Sequence, residues 1–292
     1  MKKVLITGSK GQLGHDCARL LEVAYSLVLT DIDQVDLSVE SDAHRFLSEC
    51  DPAIIINCAA FTAVDACETE PDCWKANHDL PAHLASWAVE RDRMLIHIST
   101  DYVFDGMKPL FMSSKEIDLP HPISEYGRSK LAGEQAIIDS GVHYAILRTA
   151  WLYGIKGTNF LKTMLRLTIQ QPEKTLRVVD DQYGSPTWSR TLAEQIQVVM
   201  ENEAKGLFHA SSEQYTSWYE FAVAFMDEMQ ISHRIEPCSS VEYPTPTERP
   251  KNSILENEKL KEIDMNVFRD WKYDLGIFVK ENREQLMQEV KS

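Results

Sequence analysis

Two short blocks of this 292-residue chain carry side chains able to move a proton. Ser99-Thr100-Asp101 closes an apolar run, and Tyr126-Gly127-Arg128-Ser129-Lys130 places a phenol and an ammonium at i and i+4. On a helix that spacing puts both groups on one face. A tyrosine with an ordinary pKa of ~10 exchanges its proton poorly at neutral pH. Lowering it by about 3 units takes about 4 kcal/mol, which one positive charge at ~4 Å supplies in an effective dielectric of ~20. Lys130, joined by the positive ring of an oxidised nicotinamide, is expected to do this, while the Thr100 hydroxyl orients a carbonyl. The chemistry expected of such a pair is proton transfer at a carbonyl oxygen. An i, i+4 polar pair alone is common on a solvated helix, so the pair gains meaning only from its company.

That company begins at the amino terminus. Val4-Leu5-Ile6-Thr7 runs into Gly8-Ser9-Lys10-Gly11-Gln12-Leu13-Gly14, a GxxGxxG spacing that departs from the commoner GxGxxG. Glycines let the turn tighten and the backbone approach a ligand, and the helix that starts inside the loop offers free N–H groups to a pyrophosphate. Asp31, at the end of the next apolar run, suits a ribose diol and disfavours a 2′-phosphate. Lys10 argues the opposite way, so both dinucleotides, NADPH and NADH, are expected as cofactors. Asp36 and Leu37 follow along the same edge, near an adenine. Asn57-Cys58-Ala59-Ala60 ends the third run with small residues that let a cofactor pass closely.

The elements that must hold these groups alternate through the first half. Short β-branched runs at 4–7, 27–30, 53–57, 94–98 and 144–148 read as buried parallel strands. Between them lie apolar positions at helical spacing, such as Ala43, Phe46, Leu47 and Cys50, or Leu80, Leu84, Trp87 and Ala88. The pattern predicts an α/β fold, a Rossmann-type doubly wound parallel sheet. Residues 1–153 are expected to form the dinucleotide-binding domain. Residues 154–292 form a smaller substrate-binding domain that returns some elements to the first. Helices are expected over 159–171, 190–203 and 217–229, and a loop over 239–252, which holds Pro244, Pro246 and Pro250. The aromatics Trp218, Tyr219 and Phe221 read as core, whereas Trp151, just past a strand end, reads as a surface for stacking a substrate. His97, inside a strand, reads as packed.

Composition narrows the class. Hydrophobic residues at 43% and charged residues at 26% fit a globular protein. Thirty basic against 45 acidic residues give a formal charge of −15, which opposes nucleic acid and anionic membrane as partners. No stretch approaches the ~20 apolar residues that span a bilayer, and the first apolar run is too short for a secretory signal, so a cytoplasmic location is expected. The six cysteines, without a CxxC pair, are expected to be reduced and packed. His78 and His83 stand five apart where helical metal pairs prefer four, and no metal is expected.

Taken together, the Gly8 loop, Asn57-Cys58-Ala59-Ala60, Thr100 and Tyr126-x-x-x-Lys130 resemble the extended short-chain dehydrogenase/reductase family. Four further blocks are similar to one subgroup of it: Ser99 to Gly106, Arg148 to Gly154, Asp181 to Thr187, and Arg249-Pro250-x-x-Ser253. The resemblance runs to about Trp271. It implies reduction of the C4 ketone of dTDP-4-dehydro-6-deoxy-L-mannose to dTDP-L-rhamnose, a step of nucleotide-sugar and cell-surface polysaccharide biosynthesis. By position it makes Tyr126 the proton donor, sets Lys130 on the nicotinamide ribose and Thr100 at the ketone. Thr100, Asp101 and Trp151 would meet the sugar and Arg249 an anionic group. Gly11, Gln12 and Leu13 would lie on the pyrophosphate, Asp31 on the adenosine ribose, and Ala59, Ala60 and Thr62 along the cofactor. The resemblance also suggests a homodimer. Two other readings compete. The first is an epimerase or dehydratase on the same fold; such dehydratases follow the threonine with an Asp-Glu pair, whereas here Thr100-Asp101 is followed by Tyr102, leaving no glutamate. A non-catalytic regulatory subunit of the methionine adenosyltransferase type would have no use for Tyr126 and Lys130.

Overall fold

Strand β1 (Lys3–Thr7) shows how the sheet is made: Val4 and Ile6 point to one side and Leu5 to the other, all fully buried. A strand buried on both faces must lie between two layers of helices. The computed structural model describes residues 1–291, so Ser292, the last residue of the expected second domain, lies outside the described residues. After β1 come α1 (Gln12–Leu21), β2 (Ser26–Thr30), α2 (Glu40–Cys50) and β3 (Ile54–Asn57). The single turn α3 (Asp72–Trp74) and a π-helical turn, Lys75–Asp79, lead into α4 (Leu80–Glu90). Then follow β4 (Met94–Thr100), α5 (Glu125–Ser140) and β5 (His143–Thr149).

The remaining chain carries β6 (Leu152–Tyr153), α6 (Phe160–Gln170), β7 (Leu176–Val179), β8 (Tyr183–Gly184), β9 (Thr187–Trp188) and α7 (Ser189–Glu201). Beyond these lie β10 (Gly206–His209), β11 (Thr216–Ser217), α8 (Trp218–Glu228), β12 (Ile235–Cys238), β13 (Asn252–Ser253), α9 (Glu258–Glu262) and α10 (Trp271–Lys291). Six strands form one parallel sheet in the order β10-β5-β4-β3-β1-β2. Strand order reverses between β1 and β3, the place where α/β sheets open a crevice at their carboxyl ends.

Each face of the sheet has its own core. Leu13, Cys17 and Leu21 of α1 meet Leu192, Ile196 and Val199 of α7 over Val4, Ile6, Ile56, Ile96 and Leu147. On the other face Leu47, Leu84, Trp87, Ala88 and Ile137 cover Leu5, Ile55, Leu95 and Ile146. Helix α5 is held in place by a buried ion pair. Glu134 accepts from Arg148 of β5 at 2.9 and 2.6 Å, with both side chains almost wholly out of water. Two parallel bonds of this kind fix a helix on a sheet in rotation as well as position.

After β5 the strands are mostly two residues long, and the core is aromatic. Tyr153, Phe221, Phe225, Trp271 and Phe278 pack with Leu161, Leu165 and Leu275. Helix α10 contributes Trp271, Leu275, Phe278, Val279 and Leu286 to it. Chain from this half returns to the main sheet as β10, whose residues Gly206 to His209 pair with Ala145 to Arg148.

The cysteines depart from expectation at one point. Cys67 and Cys73 form a disulfide, because the turn at Ala66–Glu68 and the start of α3 bring their Cα atoms to 5.2 Å, the ordinary span of such a bond. Cys17, Cys50, Cys58 and Cys238 are free. Among the described residues no helix is long and apolar enough to cross a membrane, and no three His, Cys, Asp or Glu side chains gather as metal ligands.

Candidate active site

Gly8 takes φ +61°, a left-handed conformation that glycine adopts without strain, and a Cβ there would lie 2.8 Å from the Ala59 backbone. Gly14 is excluded from growing in the same way: its Cβ would stand 2.2 Å from Gly8 O. The loop therefore folds flat against the end of β3. Helix α1 opens with Gly11 as its N-cap and no side-chain cap, which leaves first-turn N–H groups facing the crevice.

A single cleft of about 1060 Å³ runs from this loop to the second half of the chain. Gly8, Gly11, Gln12, Leu13, Gly14, Asp31, Asp36, Leu37, Ala59, Ala60 and Thr62 line one part of it. Thr100, Asp101, Tyr126, Lys130 and Trp151 line the rest. The volume suits a dinucleotide and a second ligand together, and the buried hydroxyls of Ser99 and Thr149 line it without a hydrogen-bond partner. Glycine cradle, open helix end and unpartnered hydroxyls all fit a bound dinucleotide.

Tyr126 and Lys130 share one face of α5, and both are buried. The Tyr126 phenol is hydrogen-bonded with Thr100 and meets Tyr102 edge-on at 5.5 Å. Its acidity differs from the expected one. Burial pushes the pKa above the ordinary tyrosine value, the Thr100 bond offsets part of this, and Asp101 and Tyr102 add to the rise. Lys130 does not reverse the shift, because its Nζ is turned to Ile98 O at 2.7 Å and to His97 Nε2 at 3.2 Å. Burial brings Lys130 down to about 8, against the raising influence of Glu134 and Cys58. Asp101 accepts from the Thr100 hydroxyl at 3.0 Å, and burial raises its carboxyl to about 6.

Asp31 is engaged by backbone: its carboxylate accepts from Lys10 N–H and Ile32 N–H, both at 2.9 Å. The Lys10 ammonium is paired with Asp33 on the rim. Arg249 is the one predicted site residue outside the cleft lining. It pairs with Asp65 at 2.7 Å and reaches the Tyr102 hydroxyl at 3.5 Å.

The far wall holds groups that sequence reasoning passed over. Trp218 does not enter the core alone but stacks on Trp151, ring centres 3.5 Å apart and planes within 7°, while Phe160 meets it tilted at 4.7 Å. One face of Trp151, the residue expected to stack a substrate, is thus covered by protein. Trp151 sits at φ +48°, a costly conformation for a bulky residue, and packs so close to Gly184 that a Cβ there would lie 2.4 Å from its ring. Asn159 caps α6 and donates to Gln12 at 2.9 Å, joining the glycine loop to the second half. The signal for Trp218 was its place directly after the N-cap Ser217, where a helix begins at a domain edge.

With this geometry in view, the comparisons with known proteins decide the family. The RmlD substrate binding domain matches residues 1–284. The chain belongs to that family. It is 36% identical to the dTDP-4-dehydrorhamnose reductase of Burkholderia thailandensis, over 96% of this chain and 98% of that one. It is 37% identical to a dTDP-4-keto-6-deoxy-D-glucose reductase of Streptomyces niveus, over 91% and 93% of the two chains. The crystal structure of the Bacillus anthracis dTDP-4-dehydrorhamnose reductase, in complex with NADP, superimposes with a TM-score of 0.92 at 35% identity. That match covers 96% of this chain and all of the other.

Proposed function

We propose that this RmlD-family chain is an oxidoreductase that reduces the C4 ketone of dTDP-4-dehydro-6-deoxy-L-mannose to dTDP-L-rhamnose, with NADPH or NADH as cofactor. The observation that carries the proposal is the shared cleft: a proton-bearing Tyr126, hydrogen-bonded with Thr100, faces the same space as the open end of α1. The bound dihydronicotinamide supplies the hydride. Gly8, Gly11, Gln12, Leu13 and Gly14 hold its pyrophosphate, Asp31 the adenosine ribose, Asp36 and Leu37 the adenine side, and Ala59, Ala60 and Thr62 the length between. Lys130 holds the nicotinamide ribose.

At the ketone, Thr100 and Tyr126 bracket the oxygen, and the phenol gives up its proton as negative charge develops there. A phenol that burial keeps protonated is in the form a reductase needs at the start of each turnover. Asp101 and Trp151 hold the sugar, and Arg249 attracts the diphosphate from the rim. A surface of charge −15 leaves nucleic acid and anionic lipid as poor partners. The same reading places the chain in the cytoplasm as a homodimer.

A second reading, reduction of dTDP-4-keto-6-deoxy-D-glucose, is favoured by the Streptomyces niveus relative. Both are tested by following cofactor oxidation with each dTDP-4-keto-6-deoxy sugar, separately with NADPH and NADH, and identifying the product by NMR. Net oxidation giving dTDP-L-rhamnose supports the proposal. Product formation without net oxidation, or binding of cofactor without turnover of either sugar, overturns it.

A further inference from the structure

A row of polar side chains crosses the sheet beneath Lys130. Thr7 pairs with Asn57 across β1 and β3, and Asn57 with His97 across β3 and β4, so three side chains stand side by side in register. All are at most 1% exposed, as is Lys130 itself. Contacts run without a break. Ala59 N–H donates to Thr7 Oγ1 at 3.3 Å, Thr7 Oγ1–H to Asn57 Oδ1 at 2.6 Å, and Asn57 Nδ2 lies 2.9 Å from His97 Nδ1. His97 Nε2 then lies 3.2 Å from Lys130 Nζ.

A buried imidazole beside a cation stays neutral, and burial followed by Lys130 pushes His97 well below its ordinary pKa. A neutral imidazole has one N–H and one lone pair, so the two neighbours of His97 cannot choose their roles independently. In the structure the Asn57 nitrogen faces Nδ1, which makes Nδ1 the acceptor and leaves the N–H on Nε2, aimed at Lys130 Nζ. That polarity offers a donor to an uncharged amine, which still donates to Ile98 O. An ammonium requires the reverse: Nε2 accepts, Nδ1 carries the proton, and Asn57 turns its oxygen to His97 and its nitrogen to Thr7.

We propose that Thr7, Asn57 and His97 form a hydrogen-bond chain of reversible polarity, with His97 the positioning residue through which the charge state of Lys130 is matched to the chain. The proton count is simple. Lys130 gains one proton from the cleft, and His97 exchanges one on Nε2 for one on Nδ1 without changing charge. The chain ends at Thr7 and the Ala59 N–H, both of which line the cleft, so the state of Lys130 is felt at the cradle. The other ionisable groups acting on Lys130 are Glu134 on its own helix, tied to Arg148 of β5, and Cys58 after β3. Besides burial only Lys130 acts on His97, and its two ring nitrogens meet Asn57 and Lys130, so these two set the tautomer.

The inference rests on Lys130 serving the proposed reductase only for its kinetic readout. The primary test is spectroscopic: ring-¹⁵N NMR of the histidines in the wild-type protein from about pH 10 to about pH 6, bracketing the lowered lysine. One neutral imidazole, identified by its loss in His97→Asn, is expected to pass from the Nε2–H to the Nδ1–H tautomer as pH falls through about 8. A tautomer that stays fixed over this range overturns the proposal, whether or not the protein turns over any sugar. The kinetic test uses two near-isosteres. Glutamine at 97 retains a polar atom for Lys130, and asparagine retains one for Asn57 only. His97→Asn is expected to move the lysine limb of the kcat profile by about one pH unit with the sugar KM unchanged, and His97→Gln to keep it near the wild-type position. Equal limbs in all three proteins overturn the proposal. If neither variant folds, through-bond assignment of the wild-type imidazoles identifies His97, and its spectra still decide.

Discussion

The two walls of the cleft are made in different ways. On the sheet side, the groups stand at the ends of β1, β3 and β4 and along α5, fixed by backbone geometry, a glycine cradle and the Glu134–Arg148 pair. On the opposite side the wall is aromatic: Trp151 stacks on Trp218 and Phe160 tilts against Trp218, with Phe160 at the start of α6 and Trp218 at the start of α8. A wall of strand ends sets atoms to within tenths of an ångström, as proton transfer demands. A wall of rings gives area and shape, which suit holding a ligand. The contrast supports the proposed function, with chemistry assigned to the sheet wall and recognition to the aromatic wall.

That division can be broken by mutation. Tyr126→Phe removes the acid on the sheet side and is expected to lower kcat by about 100-fold or more, with NADPH binding retained. An unchanged rate would take the chemistry away from that wall. Trp218→Ala is expected to raise the sugar-nucleotide KM about tenfold while the NADPH KM stays put, through lost stacking. If instead NADPH binding weakened and the sugar did not, the aromatic wall would belong to the cofactor.

Smaller effects sharpen the sheet side further. Asp33→Asn frees Lys10 for a 2′-phosphate and is expected to lower the KM for NADPH by about two- to fivefold relative to NADH, the scale of an exposed pair. An unaltered preference would remove Lys10 from cofactor selection. Asp101→Asn tests stability. The folded carboxyl is raised to about 6, so the folded state holds its proton more tightly, and ionisation costs stability as pH rises from about 4 through about 6. The variant is expected to melt about 5 °C above wild type at about pH 7.5, with the gain shrinking toward about pH 4, as differential scanning calorimetry can show.

How much of this was legible follows the same division. Val4-Leu5-Ile6 and Ile54-Ile55-Ile56 declare buried strands because parallel sheets need apolar side chains on both faces. Tyr126 and Lys130 declare their helix face by spacing. Trp218 did not declare itself, since its partner Trp151 lies far away in sequence and only the tertiary fold brings them face to face. Likewise the pairing of Lys10 with Asp33 and the row from Thr7 through Asn57 to His97 depend on strand register, which no local pattern encodes. The Cys67–Cys73 bond is short in sequence, yet a spacing of six permits many geometries and marks none. Helix α10 could have been found: Trp271, Leu275, Phe278 and Val279 repeat at helical spacing.

One connection bears on how the protein is made. Strand β10 closes the edge of β5, but Gly206 follows Thr149 only after the whole of α6, α7 and four short strands. During synthesis at ~5–20 residues per second, the roughly 60 intervening residues take several seconds to emerge. For that interval β5 is an outer strand with its hydrogen-bonding groups open, the condition under which a nascent sheet pairs with a neighbour's. A fragment ending at residue 153 would carry that exposed edge permanently. The second half of the chain thus replaces the seven-residue edge strand β5 with the four-residue β10, a shorter template for such pairing.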